Sequence, residues 1–142
     1  MSGIDYRESA EGLAPAELTG FFQGWAQRPS PETHLCLLRQ SDAVVLAVER
    51  ASGRVVGFIT AISDGVLSAY IPLLEVLPEY QGRGIGSELA RRMLARLEPL
   101  YIVDVVCDPE LQPFYERFGL RPAQAMIRRN RAAQAGPPER SG

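Results

Sequence analysis

The chain has 142 residues, 15 basic against 17 acidic side chains and a formal net charge of −2. A chain of this length is one ordinary domain that buries roughly two-thirds of its unfolded surface, so it needs neither metal nor disulfide to fold. The acidic balance, with a pI near 5.5, argues against a nucleic-acid binder, because such modules concentrate basic charge on one face.

Other exclusions follow from single residue types. Cys36 and Cys107 have no CxxC spacing, and His34 is the only histidine, so a zinc site is excluded and both thiols read as reduced, buried residues of a cytoplasmic protein. The first twelve residues contain acids and no apolar h-region, and no run of 18 apolar residues exists, so neither export nor membrane insertion is expected.

Taken in chain order, residues 4–8 read as a short strand. Behind Pro15, the residues Leu18, Phe21, Phe22 and Trp25 fall at i, i+3, i+4 and i+7, which predicts a helix with one apolar face. Ser30, Pro31 and Glu32 form a helix start, with serine as N-cap and proline in the first turn, and that helix runs to about Gln40. Residues 43–49 and 55–62 are apolar, β-branched runs separated by residues 51–54, the pattern of an antiparallel hairpin. A turn at Ser63, Asp64 and Gly65 leads to a third strand over residues 68–77. Pro72 lies inside that strand, where a missing amide hydrogen marks an edge or a bulge.

Downstream, Ile85, Leu89, Met93 and Leu97 line one face of a helix, with Glu88, Arg91, Arg92 and Arg96 opposite and Pro99 ending it. Residues 101–107 read as the second strand of a βαβ unit. Asp108 and Pro109 open a short helix that closes at Gly119. A last strand is expected at residues 124–128, and the tail 132–142 is expected to be disordered. The order predicts a single α/β domain with a mixed sheet over residues 1–131. Arg128, Arg129, Arg131 and Arg140 read as a solvated tail.

The hexapeptide Gln81-Gly82-Arg83-Gly84-Ile85-Gly86 stands between a strand and an amphipathic helix. Glycines there let the backbone turn sharply and approach a ligand, and the following helix offers unpaired N–H groups with partial positive charge, which together suit a phosphate. A Walker loop requires a lysine that Gly86-Ser87 lacks. A dinucleotide fingerprint requires G-x-G-x-x-G, whereas this loop is G-x-G-x-G.

The stretch from Val76 through Ser87 resembles the acetyl-CoA-binding motif of the GCN5-related N-acetyltransferase (GNAT) superfamily, with Gln81, Gly84 and Gly86 at the defined positions. Pro113-Phe114-Tyr115-Glu116-Arg117-Phe118-Gly119-Leu120 is similar to that superfamily's later Tyr-Glu-x-x-Gly-Phe segment. The resemblance implies a GNAT fold, a mixed and mostly antiparallel sheet flanked by helices and splayed at the motif strand. It implies acetyl-CoA as cosubstrate, with its pyrophosphate on the backbone of Gly82, Arg83, Gly84, Ile85, Gly86 and Ser87. Leu74, Glu75 and Val76 would pair by main chain with the pantetheine and acetyl group. Tyr115 would protonate the departing thiolate, and Asp108 stands where many members carry an asparagine that touches the cofactor. Glu75 is the expected general base, as the one acid in residues 70–77, with Tyr70, Asp104 or a water chain as alternatives.

The expected function is direct acetyl transfer to a primary amine, a small molecule or a peptide, with no nucleic-acid or membrane partner. A homodimer is a further implication of the resemblance. The competing class is a non-catalytic acyl-CoA sensor. Trp25, His34 and Tyr70 are candidate walls of the acceptor site, although Trp25 also fits a core position and His34 a surface one.

Overall fold

The apolar runs pair in the order in which they occur along the chain. A computed structural model, which describes residues 3–138, contains one sheet in the order β1-β2-β3-β4-β5. β1 (Ile4–Arg7), β2 (Ala43–Glu49), β3 (Val55–Ser63) and β4 (Ser68–Val76) are successively antiparallel, and β5 (Ile102–Val105) lies parallel to β4. Three helices accompany them: α1 (Pro31–Gln40), α2 (Ile85–Arg96) and α3 (Gln112–Glu116).

Each face of the sheet has its own cover. On one, Gly57 lies directly under α2, where a Cβ would sit 3.1 Å from Leu89 Cδ1. Ile85, Leu89, Met93 and Leu97 are all buried there, as the helical spacing predicts, and each contributes about 1.5–3 kcal/mol on leaving water. The polar face of α2 is laced by Glu88, which accepts from Arg91 and Arg92; these bonds, with Arg91 foremost, hold its carboxyl down at about 2. On the other face, Phe58 meets the rings of Phe21 and His34 at 5.2 and 4.4 Å. The serine cap of α1 is present, with the Thr33 amide donating to Ser30 Oγ at 3.1 Å.

The β3–β4 turn is fixed by one carboxylate. Asp64 Oδ1 accepts the amides of Leu67, Val66 and Ser68, and these bonds lower its pKa to about 2. Among the described residues no helix is long and apolar enough to cross a membrane, and no cluster of His, Cys, Asp and Glu could hold a metal ion.

Several expectations are corrected. The helix predicted from the spacing of Leu18, Phe21, Phe22 and Trp25 is only a 3-10 turn, Pro15–Leu18. Beyond it Gly20, Phe22 and Gly24 take left-handed φ values of 95°, 63° and 82°, which no right-handed helix accommodates. The apolar side chains still reach the core, so the periodicity reported burial rather than helix. No strand forms at residues 124–128, which join neither edge of the sheet. The expected tail, 132–142, begins inside a 3-10 turn, Arg131–Ala133, and Gln134 Oε1 accepts the Gln27 amide at 2.8 Å, while residues 139–142 lie outside the described residues. Cys36 is exposed and Cys107 half-buried, and both are free thiols.

His34, read as a surface residue, is 1% exposed and neither ring nitrogen has a hydrogen-bond partner. Burial lowers its pKa from 6.5 to about 4, so the fold holds it neutral. Because the folded pKa is the lower one, stability is undiminished above pH 6.5 and falls as the unfolded chain takes up a proton between pH 6.5 and 4. Over that window His34 accounts for a loss of about 3 kcal/mol. Urea denaturation across this range is expected to show that loss, and His34→Phe is expected to flatten it.

Candidate active site

The site begins at an irregularity in β4. Thr60 pairs with Leu73 but Ile62 pairs with Tyr70, so Ile71 and Pro72 together oppose the single residue Ala61. This is the bulge expected at Pro72, whose nitrogen has no hydrogen to offer a neighbouring strand. Parallel pairing with β5 runs from Ser68↔Ile102 to Ile71↔Val105 and stops there. Past Pro72 the two strands part, leaving Leu74, Glu75 and Val76 with an open edge toward β5. The splay implied by the sequence resemblance is therefore present.

The bulge also settles which way each side chain faces. Glu75 pairs with Phe58 and shares its face, opposite α2, whereas Val76 pairs with Gly57 on the α2 side. Glu75 is half-buried, and its two carboxylate oxygens accept the amides of Phe22 and Gln23 at 2.9 and 3.3 Å. It thus ties the left-handed loop at Phe22 to the motif strand.

After β4 the chain turns through Pro78–Tyr80 into the glycine loop. Gln81 is exposed and its Nε2 donates to the Val76 carbonyl at 3.0 Å, closing the loop onto the strand end. Gly82 and Gly84 have φ of 77° and 81°, with open space where a Cβ would stand. Gly84 is the N-cap of α2 in the left-handed conformation that glycine alone takes without strain. The first amides of α2, at Ile85, Gly86 and Ser87, point out of the helix end without intrahelical partners, since the first such bond is Glu88 N to Gly84 O at 3.0 Å. The Ile85 side chain is buried in the core, so only its backbone faces the loop. Arg83 reaches back to the Glu79 carbonyl at 3.0 Å and lies over the Tyr80 ring.

A cavity of about 480 Å³ lies over this loop, between Val76, Gln81 and the start of α2 on one side and Pro113, Phe114 and Arg117 of the α3 region on the other. Arg117 was not singled out by sequence reasoning. Its Nη2 donates to Ser87 Oγ at 2.6 Å, and its guanidinium lies against the rings of Phe114 and Phe118, 5.3 and 5.4 Å from their centroids. The only signal was spacing, because residues 113, 114 and 117 share one face of a helix once that helix is known to face the loop. An open nest of amides, a helix N-terminus and a clamped cation form a site that fits a pyrophosphate. A depression of similar volume, about 430 Å³, lies between Glu8, Leu38 and Arg96, but Arg96 there is already engaged by Glu8 and the Val44 carbonyl.

Leu74, Glu75, Arg83, Asp108 and Tyr115 do not line the loop cavity. Asp108 is exposed at the N-cap of the Pro109–Leu111 turn, and its side chain makes no capping bond. Tyr115 is 8% exposed on α3. Burial, and secondarily the neighbouring Cys107, push its hydroxyl up to about 12, so it stays protonated throughout the neutral range. Tyr70 stands on the same face as Glu75 and is 36% exposed, with Asp104 of β5 as its cross-strand partner.

A sheet that opens beyond a bulge, above a glycine nest at a helix N-terminus, is the architecture of acyl-CoA-dependent acetyltransferases. The chain belongs to the acetyltransferase (GNAT) family, whose sequence model matches residues 10–120. Its structure is similar to that of a protein from Deinococcus radiodurans R1 provisionally named an acetyltransferase, 46% identical, with a TM-score of 0.92 over 98% of this chain and 100% of that one. A GNAT-family acetyltransferase from Streptococcus pneumoniae TIGR4 is 28% identical, with a TM-score of 0.70 over 92% of this chain and 99% of that one. In sequence the chain is 27% identical to the uncharacterized N-acetyltransferase ycf52 of Pyropia yezoensis over 68% of its own length and 57% of that protein's. The chain thus spans little more than half the length of that relative.

If Glu75 fastens the Phe22 loop, Glu75→Ala should cost about 2 kcal/mol in urea denaturation, because two amides lose a charged acceptor. Glu75→Gln, which keeps one oxygen, should cost less.

Proposed function

We propose that this protein transfers the acetyl group of acetyl-CoA directly to a primary amine. The observation that carries the reading is the geometry of β4, where an open strand edge at residues 74–76 runs into a glycine nest closed by Arg117. The pyrophosphate would rest on the amides of Gly82 through Ser87 with Arg117 as counter-charge. The pantetheine would extend along the free edge of Leu74, Glu75 and Val76, and the Val76 amide would face the thioester oxygen as charge develops on it.

The amine loses its proton before attack, because an ammonium has no lone pair. Glu75 is the proposed acceptor of that proton, since its side chain stands on the face opposite α2 and each of its oxygens keeps one lone pair beyond the amides of Phe22 and Gln23. As the carbonyl re-forms, the carbon–sulfur bond breaks, the thiolate takes the Tyr115 hydroxyl proton, and the nitrogen, cationic since the attack, gives up its second proton to solvent. Tyr115 always has that proton available, and the buried phenolate then recovers one from solvent. Tyr70 and the Phe22–Trp25 loop form the proposed acceptor wall. The acting form is a homodimer.

Free-thiol release with acetyl-CoA and a panel of primary amines is the direct test. Tyr115→Phe should lower kcat by about 10²–10⁴ while leaving acetyl-CoA affinity near wild type. Arg117→Ala should weaken acetyl-CoA binding about tenfold, measured by calorimetry. Acetyl-CoA binding without thiol release for any amine, and with no effect of Tyr115→Phe, would instead identify an acyl-CoA sensor.

A further inference from the structure

The mouth of the opened sheet holds one nucleophilic group that acetyl transfer leaves unused. β4 and β5 part after Ile71↔Val105, so the residues that follow β5 stand across the opening from the free edge of Leu74, Glu75 and Val76. Cys107 lies there as a half-buried free thiol, directly before Asp108 at the start of the Pro109–Leu111 turn. The other free thiol, Cys36, is exposed on α1, a helix that takes no part in the glycine loop.

Tyr115 of α3 ties Cys107 to the ligand. It is 8% exposed, its hydroxyl has no hydrogen-bond partner among the described residues, and the side chain that acts on it electrostatically is Cys107. A buried hydroxyl without a partner is completed by a ligand atom, and in the transfer proposed above that atom is the sulfur of CoA. One sulfur of the chain and one brought by the cosubstrate therefore converge on the same hydroxyl. Burial, then Asp108 and Glu110, push the Cys107 thiol up, so it reacts slowly with disulfides met at random. A disulfide held beside it by its own binding site escapes that limit, because proximity replaces thiolate abundance.

We propose that Cys107 is a site of reversible modification by the disulfide of CoA, which enters by the cosubstrate's route and leaves one CoA joined to the chain; this rests on the CoA reading of the glycine loop. With the pyrophosphate of one half on that loop, its sulfur stands beside Cys107 where the thioester sulfur would. Cys107 gives its proton to solvent and its thiolate attacks that sulfur. A new sulfur–sulfur bond forms, the bond between the two CoA sulfurs breaks, and the second CoA leaves as a thiolate that takes a proton from solvent. Cys107 is thereby oxidised to a mixed disulfide and CoA disulfide is reduced to one free CoA. The tethered half fills the cleft, so the site stays closed to acetyl-CoA until a free thiol reverses the exchange.

The two thiols of the wild-type chain compete with each other, so peptide mass spectrometry tests the proposal without a variant. CoA disulfide should modify Cys107 about tenfold faster than Cys36, whereas hydroxyethyl disulfide, which has no phosphate for the loop to hold, should reach the exposed Cys36 first. Arg117→Ala should slow the first reaction and leave the second unchanged. After treatment with CoA disulfide and removal of the excess, Cys36→Ser should lose acetyl-CoA binding in calorimetry and regain it with dithiothreitol, while Cys107→Ser keeps it throughout. Modification of Cys36 ahead of Cys107 by CoA disulfide, or the same preference with both reagents, would overturn the proposal. A chain that binds CoA yet leaves Cys107 untouched refutes the modification alone; a chain that binds no CoA refutes the proposed function together with it.

Discussion

Pro72 cannot donate a hydrogen bond, and the rest of the site depends on that one missing proton. Upstream of it β4 is held on both sides, by β3 and by β5. At the bulge the strand shifts register against β3, and it loses β5 altogether. A fully paired strand would have no backbone capacity left for a ligand, whereas an interrupted one keeps a row of donors and acceptors beside a packed core. The opening is not made by flexible chain, since the β3 side of β4 stays paired through Val76. The open edge therefore belongs to the sheet and not to a loop.

The face opposite α2 is organised by a carboxylate rather than by a helix. Two successive amides of an irregular loop converge on Glu75, and Phe22 holds a φ of 63° that a non-glycine residue rarely adopts. The packing of Phe22 against His34 and Trp25 offsets that strain from the other side, with ring centroids 4.9 Å apart in both cases. A residue proposed to move protons thus also fixes the wall beside it. Its two roles separate only when stability and turnover are measured on the same variant.

Much of this was legible in the sequence, and the failures have physical causes. Strands alternating with turns, the Ser30 cap and the buried stripe of α2 depend on local chemistry, and they appear where local chemistry puts them. The glycine loop was legible because left-handed positions before a helix select glycine. The segment behind Pro15 was misread because period alone reports which side chains are buried, and a loop tied down by a residue more than fifty positions away can bury the same ones. Arg117 was invisible for a related reason, since its importance comes from Ser87 and two phenyl rings that only the fold brings near. The segment at residues 124–128 has a strand's composition but pairs with no strand among the described residues, and composition alone carries no information about a partner.

The burial of His34 has one more consequence. It is the chain's sole imidazole, and the core keeps it uncharged well into the acid range. No histidine is left at the surface to change the molecule's charge near neutrality, and none stands ready to relay protons. Any bend in the rate profile around pH 7 would therefore have a source other than a histidine.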